Sequence, residues 1–202
     1  VVPGGDGWIV ARTSPSTARI VALRDGRGID VALTANERVV AVWPEGRAVV
    51  QSTSGWRIGH SARRPGTVIS AGTDALVARS DPKGRRSFRF VDALGTDRAL
   101  AGPAEWRVDD AVVHGRRAIA SCLHPQLGYA LWDGSRLERT DGTIALFSLG
   151  GDAPVIRTTG AAAGSTWRTG ANVVSGDIPG RDDLQVNPRV VNELPTVLIS
   201  GN

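Results

Sequence analysis

Three tryptophan–arginine dipeptides stand out among the residues that could do chemistry: Trp56-Arg57 in SGWRIG, Trp106-Arg107 in AEWRVDD and Trp167-Arg168 in STWRTG. An indole face beside a guanidinium suits stacking on a sugar or a base, with a charge contact to an acidic group. The same pair also suits packing, with the Trp as a wedge between neighbouring repeats and the Arg solvating its rim. In a repeat protein the packing role takes precedence, so these six residues are binding candidates held against a structural alternative.

The other reactive side chains form no catalytic constellation along the sequence. His60, His114 and His124 are scattered, without an H-x-E or H-E-x-x-H spacing, so neither a metal nor a cofactor is expected. Ser52, Ser54 and Ser121 lack the G-x-S-x-G elbow of a hydrolase. Cys122, the single cysteine, excludes an intrachain disulfide and lies in an apolar run, where a buried thiol is expected rather than a nucleophile. Asp109-Asp110 and Asp182-Asp183 could supply carboxylates for glycoside chemistry. On a regular extended chain, however, neighbours point to opposite faces. Lys83, the only lysine, is not in a phosphate-binding glycine loop. No catalytic residue is assigned, and an enzyme is disfavoured.

The elements that would carry these residues are short hairpins. Trp8–Ser14 and Ala18–Arg24 flank Pro15-Ser16-Thr17. Arg38–Trp43 and Arg47–Ser52 flank Pro44-Glu45-Gly46. Ala75–Ser80 and Ser87–Asp92 flank Asp81-Pro82-Lys83-Gly84. Arg117–Leu123 and Gly128–Trp132 flank His124-Pro125-Gln126. Thr143–Leu149 and Ala153–Arg157 flank Gly150-Gly151-Asp152. The runs are rich in β-branched and small apolar residues, and the turns hold the Pro, Gly and Asp that a chain reversal needs. Gly28–Leu33, Gly66–Ser70 and Ala99–Ala101 are further candidate strands. No segment has sustained helical periodicity. The hairpins begin near residues 8, 38, 75, 117 and 143, an irregular period of roughly 35 residues that suggests repeated units covering one another's apolar faces. The expected fold is therefore all-β, a small propeller-like array of about five short-bladed hairpin repeats, with a β-sandwich as the alternative.

Two stretches carry a resemblance. His114-Gly115-Arg116-Arg117-Ala118-Ile119-Ala120-Ser121 followed by Gly128-Tyr129-Ala130-Leu131-Trp132-Asp133-Gly134 resembles the blades of TolB-type and WD-like β-propellers. In those blades a D-G-R-R-like turn leads into an apolar strand, and a second strand ends near aromatic-Asp-Gly. Gly164-Ser165-Thr166-Trp167 is similar to the G-x-T-W end of the Asp-box turn of sialidase-like propellers. The Ser/Thr and Asp positions of that box hold Gly160 and Ala162 here. The resemblance implies a propeller fold and no glycosidase activity.

Composition bounds the function. The 202 residues, 41% hydrophobic, suffice for one well-buried core built mainly from Val, Ala, Leu and Ile. The division expected is a repeated domain over 1–170 and a Pro-punctuated arm over 171–202. The arm carries Pro179, Pro188 and Pro195 and ends in the apolar run Thr196–Ser200, expected to pair with the first unit or with another subunit. The net charge of +4 comes from 24 basic residues, all but Lys83 arginine, interleaved with 20 acidic ones. That arginine bias fits a GC-rich bacterial-type or phage genome, and alternating charge disfavours nucleic acid as a partner. No apolar stretch is long enough to span a membrane as a helix. The chain begins at Val1 and contains no methionine, which suggests a processed or trimmed chain and favours export or the cell surface. The functional expectation is a non-enzymatic binding or structural module facing a macromolecular partner or assembly. The alternative is a glycan-binding or glycan-processing propeller, with an acidic glycan as ligand.

Overall fold

The computed structural model describes residues 7–147, 154–160, 165–169, 172–176, 185–191 and 194–200. Among the described residues strand content is far above the ~20–25% usual for globular domains, and no α-helix occurs. β1 (Trp8–Ser14), β2 (Thr17–Ala22) and β3 (Gly28–Ala32) form the first sheet. β4 (Arg38–Trp43), β5 (Arg47–Ser52) and β6 (Gly55–Ile58) form the second. The third holds β7 (Thr67–Ala71), β8 (Ala75–Ser80), β9 (Ser87–Asp92) and β10 (Asp97–Leu100). The fourth holds β11 (Arg107–His114), β12 (Arg117–His124), β13 (Gly128–Trp132) and β14 (Leu137–Arg139). β15 (Gly142–Phe147), β16 (Val155–Gly160), β17 (Ser165–Thr169) and β18 (Asn172–Gly176) form the fifth. β19 (Gln185–Val191) and β20 (Leu194–Ser200) pair as a separate hairpin. Every described pairing is antiparallel between strands consecutive in sequence, and no sheet closes on itself.

Each sheet packs on the next through its own apolar cluster. Ala18, Ile20 and Val31 of the first sheet meet Val39, Val42, Ala48 and Val50 of the second. The second sheet's other face, with Ala41, Trp43, Val49 and Trp56, meets Leu76, Ala78 and Val91 of the third. Ala75, Val77, Phe88 and Phe90 turn the opposite way, onto Val108, Ala111, Ala120 and Cys122 of the fourth. Val112 and Leu131 then meet Ile144, Leu146 and Ile156 of the fifth. Covering both faces explains why β4, β5 and β8 read as nearly unbroken apolar runs instead of alternating with polar residues.

The repeat is phased differently from the sequence expectation. The hairpins at residues 75 and 117 are the second and third strands of their sheets; β7 and β11 lead them. β4 coincides with the expected strand Arg38–Trp43 and β7 with most of the candidate Gly66–Ser70, whereas β11 has no counterpart among the expected strands; in each of the three a β-bulge interrupts the alternation. Val40 in β4, Ile69 in β7 and Asp109 in β11 are each the extra third residue of a leading strand. The bulge recurs at the same place, the third residue of the leading strand, in three consecutive sheets. In the tail, Thr196–Ser200 pairs with β19, and Pro188 and Pro195 sit in that two-stranded hairpin, where both strands are edges. The turn Gly150-Gly151-Asp152 lies outside the described residues.

Candidate functional site

Arginine–carboxylate clusters sit at the sheet junctions. Glu37, in the connection from β3 to β4, is 3% exposed. Thr34 donates its backbone N–H to Oε2 at 2.9 Å. Arg57, on β6, grips both carboxylate oxygens, with Nε to Oε1 and Nη2 to Oε2 each 3.1 Å. Arg63 donates to Oε1 at 2.5 Å. Arg57 also donates to the carbonyls of Gly59 and, at 2.7 Å, of Ala32 at the end of β3. The cluster therefore fastens the first sheet to the second. The Arg57 guanidinium, with Thr34 and Arg63 adding to it against the opposing effect of burial, lowers the Glu37 carboxyl from 4.5 to about 2.

The next junction is built the same way. Asp97 on β10 takes Arg64 at 2.7 Å and Arg89 at 2.6 Å. The Arg64 guanidinium lies 5.0 Å from the Trp56 ring centroid. Trp56 and Arg64 also exchange backbone hydrogen bonds at 2.9 and 2.7 Å, which folds residues 59–64 back against β6. That close approach requires glycine at 55: its φ is +139°, and a Cβ there would lie 2.1 Å from the Arg64 carbonyl oxygen.

The three Trp-Arg pairs lie in different sheets and are not brought together. Trp56 is 1% exposed and packs between the second and third sheets, while Arg57 is committed to Glu37. Trp106 is half-buried just before β11, against the core and 5.2 Å from the His124 ring. Arg107 is exposed, 3.5 Å from Asp109. Trp167 and Arg168 lie on β17, where Arg168 donates to Glu138 at 2.8 Å. Glu37 and Asp97, which organise these junctions, are not marked by local sequence: Arg57 and Arg63 lie 20 and 26 residues from Glu37, and Arg89 and Arg64 lie 8 and 33 residues from Asp97. The only local trace is the turn formed by Thr34 and Glu37.

The bulge at Asp109 also changes the reading of Asp109-Asp110. Asp110 pairs with Ser121 while Val108 pairs with Cys122, so Asp109 is the extra residue and regular alternation fails there. Burial raises the Asp110 carboxyl; a hydrogen bond from the Ala111 N–H opposes this and the Asp109 charge adds to it. Cys122 is fully buried, and burial pushes its thiol up to about 11. Among the described residues, no three His, Cys, Asp or Glu side chains are grouped as a metal ion would require. Asp182-Asp183 lie outside the described residues.

No family model matches this chain, and no curated protein matches it.

Proposed function

We propose that this chain is a non-enzymatic binding module, a propeller-like array of sheets that presents a rigid β-repeat surface to a macromolecular partner. The observation that carries the reading is the fastening of successive sheets by arginine clusters at Glu37 and Asp97. Such junctions hold the ends of neighbouring sheets in fixed register, so groups displayed there are ordered before a partner arrives and little entropy is lost on binding. The meander order of the sheets and the bulge recurring in β4, β7 and β11 support the propeller-like arrangement and fit the blade resemblance. The purified chain should retain a stoichiometric partner through size-exclusion chromatography at low salt. A chain that stays alone with every fraction of its source extract contradicts the proposal.

A second reading, glycan processing, is favoured by one observation: the bulge sets Asp109 beside Asp110, whose carboxyl is raised as a general acid's would be. Turnover of chromogenic glycosides that Asp110→Asn abolishes would establish it in place of the first.

A further inference from the structure

We infer that the end of the third and fourth sheets formed by the β8–β9 turn and the start of β11 is a docking surface for an acidic polysaccharide. This rests on the binding-module reading and names the partner. Lys83, Arg85 and Arg86 are all exposed in the turn, and Arg107 at the start of β11 is 68% exposed. Arg86 and Arg107 both approach Asp109, each at 3.5 Å, which places the turn and the strand at one end of the fold. The turn is rigid: Pro82 begins it, Lys83 and Gly84 occupy left-handed conformations, and the Arg85 N–H closes on the Pro82 carbonyl at 3.1 Å.

These cations differ from those at the junctions. The ion pairs at Glu37 and Asp97 are 2.5–3.1 Å long, and Glu37 is buried. At the turn, Arg79–Asp81 is 3.6 Å, the Asp109 pairs are 3.5 Å, and Arg85 makes no ion pair among the described residues. Long pairs made by exposed arginines contribute little, so these guanidinium groups can exchange their partners for a ligand's carboxylate or sulfate in a bidentate grip. Trp106, next to Arg107 in sequence, is only partly buried against the core and the His124 ring.

The acidic residues of the patch decide the polymer. Asp81, paired with Arg79 in the turn, is 49% exposed, and Glu105, two residues before Arg107 and 3.5 Å from His124, is 82% exposed. Carboxylates only accept hydrogen bonds. A single-stranded nucleic acid, with a phosphate charge on every nucleotide, offers them repulsion. A polysaccharide that spaces its acidic groups between hydroxyl-bearing carbons gives them donors.

The test is titration calorimetry of the full chain with polygalacturonate, heparin oligosaccharides, neutral dextran and single-stranded DNA. At least one acidic polysaccharide should bind, and dextran should not. Lys83→Ala/Arg85→Ala/Arg86→Ala should weaken that binding at least tenfold, and Arg85→Ala alone at least twofold. Removing three exposed arginines of the first sheet, Arg19→Ala/Arg24→Ala/Arg27→Ala, should change it less than twofold. Asp81→Asn/Glu105→Gln carries the discrimination: polysaccharide binding should weaken threefold or more, while any DNA binding tightens. Polysaccharide binding that tightens in this variant, or a chain that prefers DNA, overturns the inference. If neither polysaccharide binds but a protein partner is lost in the triple turn variant, the inference falls and the binding-module reading stands.

Discussion

Glu37→Gln tests whether the first junction is held electrostatically. The glutamine keeps the shape and one oxygen to accept the Thr34 N–H, but removes the charge that Arg57 and Arg63 enclose and sets an NH2, which cannot accept, opposite their donors at the other oxygen. The carboxyl lies at about 2 in the folded protein against an ordinary 4.5. At ~1.4 kcal/mol per tenfold change in proton affinity, the carboxylate contributes about 3 kcal/mol at neutral pH. Breaking one side of a buried pair costs roughly 3–5 kcal/mol; the low end applies because Arg63 is 38% exposed and regains water. The sign follows from the direction of the shift. A lowered carboxyl stabilises the fold above its unfolded value, and the contribution is lost as pH falls from 4.5 through about 2. Urea unfolding of the parent and Glu37→Gln should therefore differ by about 3 kcal/mol at pH 7 and by less than half of that at pH 3. Because the cluster fastens one sheet to its neighbour, amide exchange should accelerate first in β1–β3. A gap below ~1 kcal/mol at pH 7, or one equally large at pH 5 and pH 3, refutes the reasoning.

Three further outcomes follow from the same structure. Asp110→Asn should raise the melting temperature at pH 7, because burial and Asp109 raise the folded carboxyl and its ionised form opposes folding; the gain should vanish below 3.8, where the aspartate is already protonated. Cys122→Ala should cost on the order of 1 kcal/mol in urea unfolding, and the native thiol, buried and raised to about 11, should resist labelling at pH 8 until the chain unfolds. Gly55→Ala should cost about 2–4 kcal/mol by thermal melts, because its Cβ would strike the Arg64 carbonyl; Gly59→Ala, at φ +54° with open space around it, should cost only ~1 kcal/mol.

By itself the sequence determined the elements and their class. Runs such as Arg38–Trp43 and Ala75–Ser80 read as short strands, being apolar, too short for buried helices and bounded by Pro-x-Gly turns whose backbone preferences act within a few residues. Such local preferences are legible because they depend on neighbours in the chain. What only the tertiary structure decided was register and charge pairing. β7 and β11 lead their sheets, which local pattern could not show, because the bulges at Ile69 and Asp109 break alternation and are defined only by the partner strand. Trp56 and Trp106 look alike in sequence, yet one is sealed between two sheets and the other is only partly buried. Glu37, in a loop, and Asp97, at the start of β10, are ordinary acids until the fold carries Arg57, Arg63, Arg64 and Arg89 to them, since an ion pair depends on distance in space, which chain order does not specify until the sheets have stacked.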